Sequence, residues 1–148
     1  CYAYVTVEEF DAMVARGEFL EYARVFGKHS YGSPKKWLEE ARAKNLDLVL
    51  EIDVQGAEQV LAQRPDATVI MLLPPSSEAQ AARLAARGDD QEHIRRRVEL
   101  GRSEVERGAK IAAHTVVNDD LRRAVGELAA IVDRTRSAAP CAANPEES

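Results

Sequence analysis

The 148-residue sequence predicts an α/β fold: a parallel sheet covered by helices on both faces, with a small lobe placed ahead of most of the sheet. Three observations carry this. Leu46–Ile52, Thr68–Leu73 and the shorter Thr115–Val117 are apolar throughout, as strands buried on both faces are. Each is followed by a segment of helical periodicity, which is the βα alternation of a parallel sheet. Residues 2–45 differ, with short extended stretches around a glycine-bounded loop, and read as a separate small lobe.

The elements follow in order. After Cys1 the strand-like Tyr2-Ala3-Tyr4-Val5 begins at once, so the chain reads as opening inside a sheet element. Thr6-Val7-Glu8-Glu9 matches a capping box, with Thr6 as N-cap and Glu9 three residues on. Phe10, Met13 and Val14 then predict an amphipathic helix, and Gly17 offers its left-handed C-cap. Phe19–Phe26 is expected to be extended, and residues 27–32, bounded by Gly27 and Gly32, to be a loop. Ser33-Pro34 reads as N-cap and first-turn proline of a helix running to about Lys44. Leu46–Ile52 is the first buried strand. A helix from Val54 to Gln63 follows, stopped by Pro65.

Thr68–Leu73 is the second strand, closed by Pro74-Pro75. Ser76 caps a helix through Arg87 that ends at Gly88, and a long helix starts near Gln91 with Ile94, Val98 and Val105 on its inner stripe. After Thr115–Val117, the residues Leu121, Val125, Leu128 and Val132 mark a final amphipathic helix. From Ser137 onward periodicity is lost, and residues 137–148 read as a disordered tail.

Composition excludes several function classes. A net charge of −5 and a pI near 5.3 argue against a general nucleic-acid binder. Cys1 and Cys141 stand at opposite ends without a CxxC, so neither a disulfide framework nor a thiolate metal site is expected. His29, His93 and His114 lack metal-ligand spacing, and no side chain is assigned as a metal ligand. No apolar run approaches ~20 residues and no signal peptide is visible. The expected setting is the cytoplasm, away from membranes.

Four constellations carry candidate chemistry. On a strand, Glu51 and Asp53 share a face, at the carboxyl end where open α/β sheets place their ligands. Two carboxylates there call for a cationic, metal-bound or donor-rich ligand, although Asp53 also suits an N-cap of the next helix. Arg83 and Arg87, one helical turn apart, and Arg95, Arg96, Arg97 and Arg102 beyond the Gly88-Asp89-Asp90 turn offer guanidinium forks for phosphate oxygens. The Arg95-Arg96-Arg97 run by itself equally suits a solvated face paired to Glu92 and Glu99. Val116-Val117-Asn118-Asp119-Asp120 ends a short strand in polar side chains, of which Asn118 or Asp119 caps the last helix. In the lobe stand Glu21, Tyr31-Gly32-Ser33 and Tyr2, the tyrosines serving equally well as half-buried packing.

Taken in this order the motifs resemble guanylate kinase. The matching stretches are Phe19-Leu20-Glu21-Tyr22-Ala23, Tyr31-Gly32-Ser33, Glu51 through Ala57, Leu73-Pro74-Pro75-Ser76, Arg83 through Gly88, and Val116 through Leu121, within a span from Tyr2 to about Arg136. The resemblance implies ATP-dependent phosphorylation of GMP to GDP in purine nucleotide metabolism, with Mg²⁺ entering as Mg-ATP, on a P-loop NTPase-type sheet that is incomplete at the N-terminus. It implies that Glu21 and Ser33 contact the guanine, that Tyr2 and Tyr31 donate to the GMP phosphate, and that Asp53, with Glu51 near it, sits at the nucleotide and metal centre. Arg83, Arg87 and Arg97 would stabilise the transferred phosphoryl group, and Asn118 and Asp119 would lie near the adenine. The domain would run over 1–136, with a GMP-binding lobe at 2–45, a core at 46–75 and 113–136, and a lid at 76–112.

Departures from the family pattern are expected to matter. No GxxxxGK[ST] phosphate loop occurs in the 148 residues. Lys28-His29-Ser30 separate Gly27 from Tyr31 where the family typically has two residues, and the turn between Gly88 and Arg97 reads one residue short. The chain is therefore read as N-terminally truncated and, as given, inactive. The rival reading is a non-catalytic guanylate-kinase-like module that binds a protein partner, a class expected to lose the arginines present here.

Overall fold

The computed structural model describes residues 3–25 and 29–138. The chain divides into two compact units, residues 1–67 and 68–148.

The first unit contains α1 (Val7–Ala15), β1 (Phe19–Val25), β2 (His29–Pro34), α2 (Lys35–Ala43) and α3 (Val54–Gln63). Thr6 caps α1 as predicted, its Oγ1 accepting the Glu9 N–H at 3.2 Å, and Gly17 follows at φ 67°. β1 and β2 form an antiparallel hairpin in which Tyr22 faces Gly32 and Glu21 faces Ser33, but Phe19 faces Pro34. One extra residue, Leu20, is thus held in β1 as a bulge. In an unbroken strand Phe19 and Tyr22 would point to opposite faces. The bulge brings both onto Phe10, with ring centroids 4.9 Å (Phe10–Phe19), 6.0 Å (Phe19–Tyr22) and 6.3 Å (Phe10–Tyr22) apart. α3 packs on β1 and buries Val54, Ala57 and Val60.

Three expectations for this unit are corrected. Residues 29–32 belong to strand β2 and not to a loop, because their backbone groups pair with β1; Gly27 and Lys28 lie outside the described residues. Ser33 does not cap α2: Pro34 holds the N-cap position without a side-chain cap, and the Ser33 hydroxyl turns across the hairpin instead. Leu46–Ile52 is not a strand, and Leu46 and Val49 are 60% and 77% exposed. An apolar run becomes a strand only where a neighbour receives its N–H and C=O groups, and no described strand does so. Residues 3–5 are likewise unpaired, and Tyr2 lies outside the described residues.

The second unit holds β3 (Ile70–Leu73), α4 (Ser77–Ala86), α5 (Gln91–Ile111), β4 (His114–Val117) and α6 (Leu121–Ala138). β3 and β4 are parallel and in register from Ile70↔His114 to Leu73↔Val117, as the two apolar runs predicted. Ser76 caps α4, accepting the Ala79 N–H at 3.1 Å, and Gly88 follows it at φ 89°. α5 packs against β3 and against α4, and α6 packs against β4, which gives an incomplete parallel sheet with helices to both sides. The core is fully buried Val116 with Ala124 and Ile131, flanked by Ile70 and Leu128. The inner face of α6 is therefore Ala124, Leu128 and Ile131, and the expected Leu121 and Val125 are exposed. On α5, Ile94 is buried as predicted whereas Val105 is exposed. α6 runs to Ala138, so the predicted tail starts too early at Ser137; residues 139–148 lie outside the described ones. Among the described residues no helix is long and apolar enough to cross a membrane.

Candidate functional site

A polar cluster of the first unit forms where the hairpin meets the start of α3. Glu21 on β1 and Ser33 on β2 face each other in register, and both are buried, Glu21 being only 3% exposed. The Ser33 hydroxyl donates to Glu21 Oε1 at 2.6 Å, a charge-assisted bond. Gly32 makes this crossing possible, since a Cβ there would stand 2.8 Å from the Glu21 carbonyl oxygen, 2.8 Å from the Phe19 ring and 2.9 Å from Tyr22 Cβ.

The other oxygen of Glu21 points to the first turn of α3. A Cβ on Gly56 would lie 3.1 Å from Glu21 Oε2 and 3.5 Å from Asp53 Oδ1. Asp53 caps α3, its Oδ1 accepting the Gly56 N–H at 2.7 Å, so the N-cap alternative for this residue is realised. Both carboxylates thus meet the partial positive charge of one helix N-terminus. Tyr31, next to Gly32, is 43% exposed as a whole, and its phenol pKa is raised, first by partial desolvation and then by the charges of Asp53 and Glu21. Glu51 is exposed, and its expected shared strand face with Asp53 is lost because 46–52 is unpaired.

This arrangement can accept hydrogen bonds. A buried carboxylate with one hydroxyl partner has unused lone pairs, and a planar ligand edge bearing two adjacent N–H groups suits it. Among the described residues no three His, Cys, Asp or Glu side chains converge as a metal cage. Mg²⁺ binds through one or two carboxylates together with substrate phosphates and needs no such cage; of the two carboxylates expected beside it, Asp53 has its Oδ1 engaged in the cap and Glu51 is exposed.

In the second unit Arg83 donates to the Asn118 carbonyl at 2.8 Å, which ties α4 to the end of β4. Arg87 is the C-cap residue of α4 and Arg97 lies on α5; both are exposed. Arg95 and Arg96 are exposed as well, as on a solvated face, and no ion pair joins any of these four arginines to Glu92 or Glu99 among the described residues. Asp119 accepts from Arg123 Nε at 3.0 Å and Nη2 at 2.6 Å, and that guanidinium also reaches Glu127 at 2.9 Å and the Val117 carbonyl at 2.5 Å. The Arg123 bond, and then the Asp120 N–H, hold the Asp119 carboxyl below the usual carboxylate range. The residue that caps α6 is Asp120, whose Oδ1 accepts the Arg123 N–H at 2.9 Å, and not Asn118 or Asp119.

Sequence reasoning missed Gly56 as the point where both carboxylates meet, and Arg123 as the partner of Asp119. The second had a local signal, an acid and an arginine four apart at a helix start. The first had none, because Glu21 and Gly56 meet only through the packing of α3 on β1.

Known proteins share this organisation. The family model described as guanylate kinase matches residues 1–135. Guanylate kinase of Myxococcus xanthus is 45% identical over 132 residues, covering 88% of this chain and 63% of the relative. That of Neisseria gonorrhoeae is 45% identical over 136 residues, covering 91% and 65%. The crystal structure of guanylate kinase from Anaplasma phagocytophilum superposes with a TM-score of 0.68 at 28% identity, covering 90% of this chain and 64% of that one. The chain thus spans slightly under two thirds of the length of these relatives. With the family model matching residues 1–135 of its 148, this chain belongs to the guanylate kinase family.

Proposed function

We propose that this chain contributes the guanine-recognising and charge-stabilising parts of a GMP kinase, which transfers the γ-phosphoryl group of ATP to GMP. The observation that carries the reading is the buried Glu21 carboxylate, held by Ser33 and aimed at the start of α3 without a cationic partner among the described residues. Guanine offers N1–H and its 2-amino group side by side, which a carboxylate accepts together. Adenine presents an acceptor at N1 and is repelled there. In this reading Tyr31, and Tyr2 outside the described residues, donate to the GMP phosphate.

A GMP phosphate oxygen attacks the γ-phosphorus as the bond to the β-phosphate oxygen breaks, and ADP leaves; no covalent enzyme intermediate is needed. Asp53 and Glu51 would be the carboxylates on the side of Mg²⁺, which would supply charge neutralisation to the ATP phosphates when bound. Arg83, Arg87 and Arg97 supply positive charge for the moving phosphoryl group, and Asn118 and Asp119 belong to the adenine side. Residues 2–45 act as the GMP lobe, 46–75 and 113–136 as core, and 76–112 as lid. The setting of such an activity is purine nucleotide metabolism in the cytoplasm.

The test is calorimetry of the 148-residue chain with GMP and AMP, joined to a coupled assay for ADP formation from ATP and GMP. Expected are measurable GMP binding, no AMP binding and no appreciable turnover, because the 148 residues hold no GxxxxGK[ST] loop to cradle the ATP phosphates. Equal affinity for AMP would refute guanine recognition. Turnover at ~1–100 s⁻¹ would refute the need for that loop.

A further inference from the structure

Two glutamines of α3, one helical turn apart, grip β1 on either side of Glu21. The Gln59 side-chain amide accepts the Tyr22 N–H and donates to the Tyr22 carbonyl, both at 3.1 Å. This is the two-bond exchange that a neighbouring strand would make, supplied here by a side chain. Gln63 Nε2 donates to the Leu20 carbonyl at 2.8 Å and to the Phe19 carbonyl at 3.3 Å. The bulged residue and the residue after Glu21 are thus both tied to the helix whose first turn receives the Glu21 carboxylate.

A bulge leaves ladder groups unpaired and loosens the strand around it. At β1 that looseness would fall on the residue whose carboxylate must meet a ligand edge within a few tenths of an ångström. Gln63 holds the carbonyls at the bulge, Gln59 holds the outer-edge groups of Tyr22 just beyond Glu21, and together they couple β1 to α3. The distance from Glu21 to Gly56 is then set by the helix and not by the free edge of a two-stranded hairpin. Gln55, one turn earlier on the same helix, has no such bond, although with Tyr22 and Gln59 it lines the same open depression.

We infer that Gln59 and Gln63 are positioning residues for guanine specificity, acting through Glu21. The inference rests on the guanine reading above, and the experiment separates the two. The 148-residue chain and its Gln59→Leu, Gln63→Leu and Gln55→Leu variants are titrated with GMP and with IMP, which lacks the 2-amino group. The ratio of the two dissociation constants is the readout, because partial unfolding lowers the active fraction without changing a ratio. Losing one clamp should shrink the preference for GMP roughly five- to tenfold, the scale of one or two lost hydrogen bonds. Gln55→Leu should leave it unchanged.

Gln63→Lys keeps a donor for the two carbonyls and should restore most of the preference, which distinguishes positioning from bulk packing. A ratio unchanged in both Gln59→Leu and Gln63→Leu, while Glu21→Gln abolishes it, overturns this inference and leaves guanine recognition standing. Absence of any GMP preference in the parent chain overturns both. Should either leucine variant fail to fold, Gln63→Lys decides alone: a preference as low as that of Glu21→Gln refutes the donor role.

Discussion

Replacing Glu21 by Gln separates a group kept for a ligand from a group kept for the fold. Glu21 is 3% exposed, and withdrawing a carboxylate from water costs several kcal/mol even after relaxation. Against this stand the Ser33 bond at 2.6 Å, about 1.5–3 kcal/mol for a charged acceptor, and the first turn of α3, at most ~2 kcal/mol. Among the described residues no Arg, Lys or His pairs with Glu21. The carboxylate therefore does little more than break even in the free protein. A glutamine can turn its carbonyl oxygen toward α3 and donate its amide to Ser33, whose hydroxyl accepts as readily as it donates. Urea unfolding of Glu21→Gln should accordingly show a stability unchanged or raised by about 1 kcal/mol, since the ionic desolvation is gone. GMP binding should weaken by about 1–3 kcal/mol, because an amide cannot accept from two adjacent donors and one is left unpaired. That is one to two orders of magnitude in Kd by calorimetry. A fall in stability of more than about 1 kcal/mol would make the carboxylate a structural group. An unchanged Kd for GMP would remove it from the site.

Asp53→Ala should lower the unfolding free energy by about 1 kcal/mol through loss of the α3 cap, whereas Asp53→Asn, which keeps the accepting oxygen, should not; equal losses in the urea midpoints would show that the Gly56 bond does not hold this helix. Gly32→Ala drives a methyl against the Glu21 carbonyl, the Phe19 ring and Tyr22 Cβ at once, and should cost about 1–3 kcal/mol in the same assay, with a neutral result refuting the close approach of the two strands. Tyr31 has its phenol pKa raised by partial desolvation and by Asp53 and Glu21. Its contribution to stability is thus present in full below the unfolded value of about 10 and lost as pH rises through the higher folded value. Tyr31→Phe should flatten this alkaline loss in pH-dependent unfolding, and an unaltered profile would place the phenol away from the two carboxylates.

Local physics was legible in the sequence. The caps at Thr6 and Ser76, the bounds of α3 at Val54 and Gln63, and the N-cap alternative for Asp53 depend on groups within four residues of one another, so their chemistry is written in consecutive letters. The parallel pair of β3 and β4 was also readable, because strands buried between helices must be apolar throughout. The motif order likewise sufficed to bring Glu21, Ser33, Tyr31 and Asp53 together as candidates. What only the tertiary structure decided depends on partners distant in the chain. The run 46–52 has the composition of a strand, but pairing belongs to two segments and not to one. The inner face of α6 turned by about 60° from the stripe of Leu121, Val125 and Val132 toward Ala124 and Ile131; both faces contain Leu128, and it is the small Ala124 that packs in the core with fully buried Val116. Ser33 left its expected cap for Glu21, and the Leu20 bulge set which face Glu21 takes, because a hairpin register is fixed by both strands and by the helix lying on them.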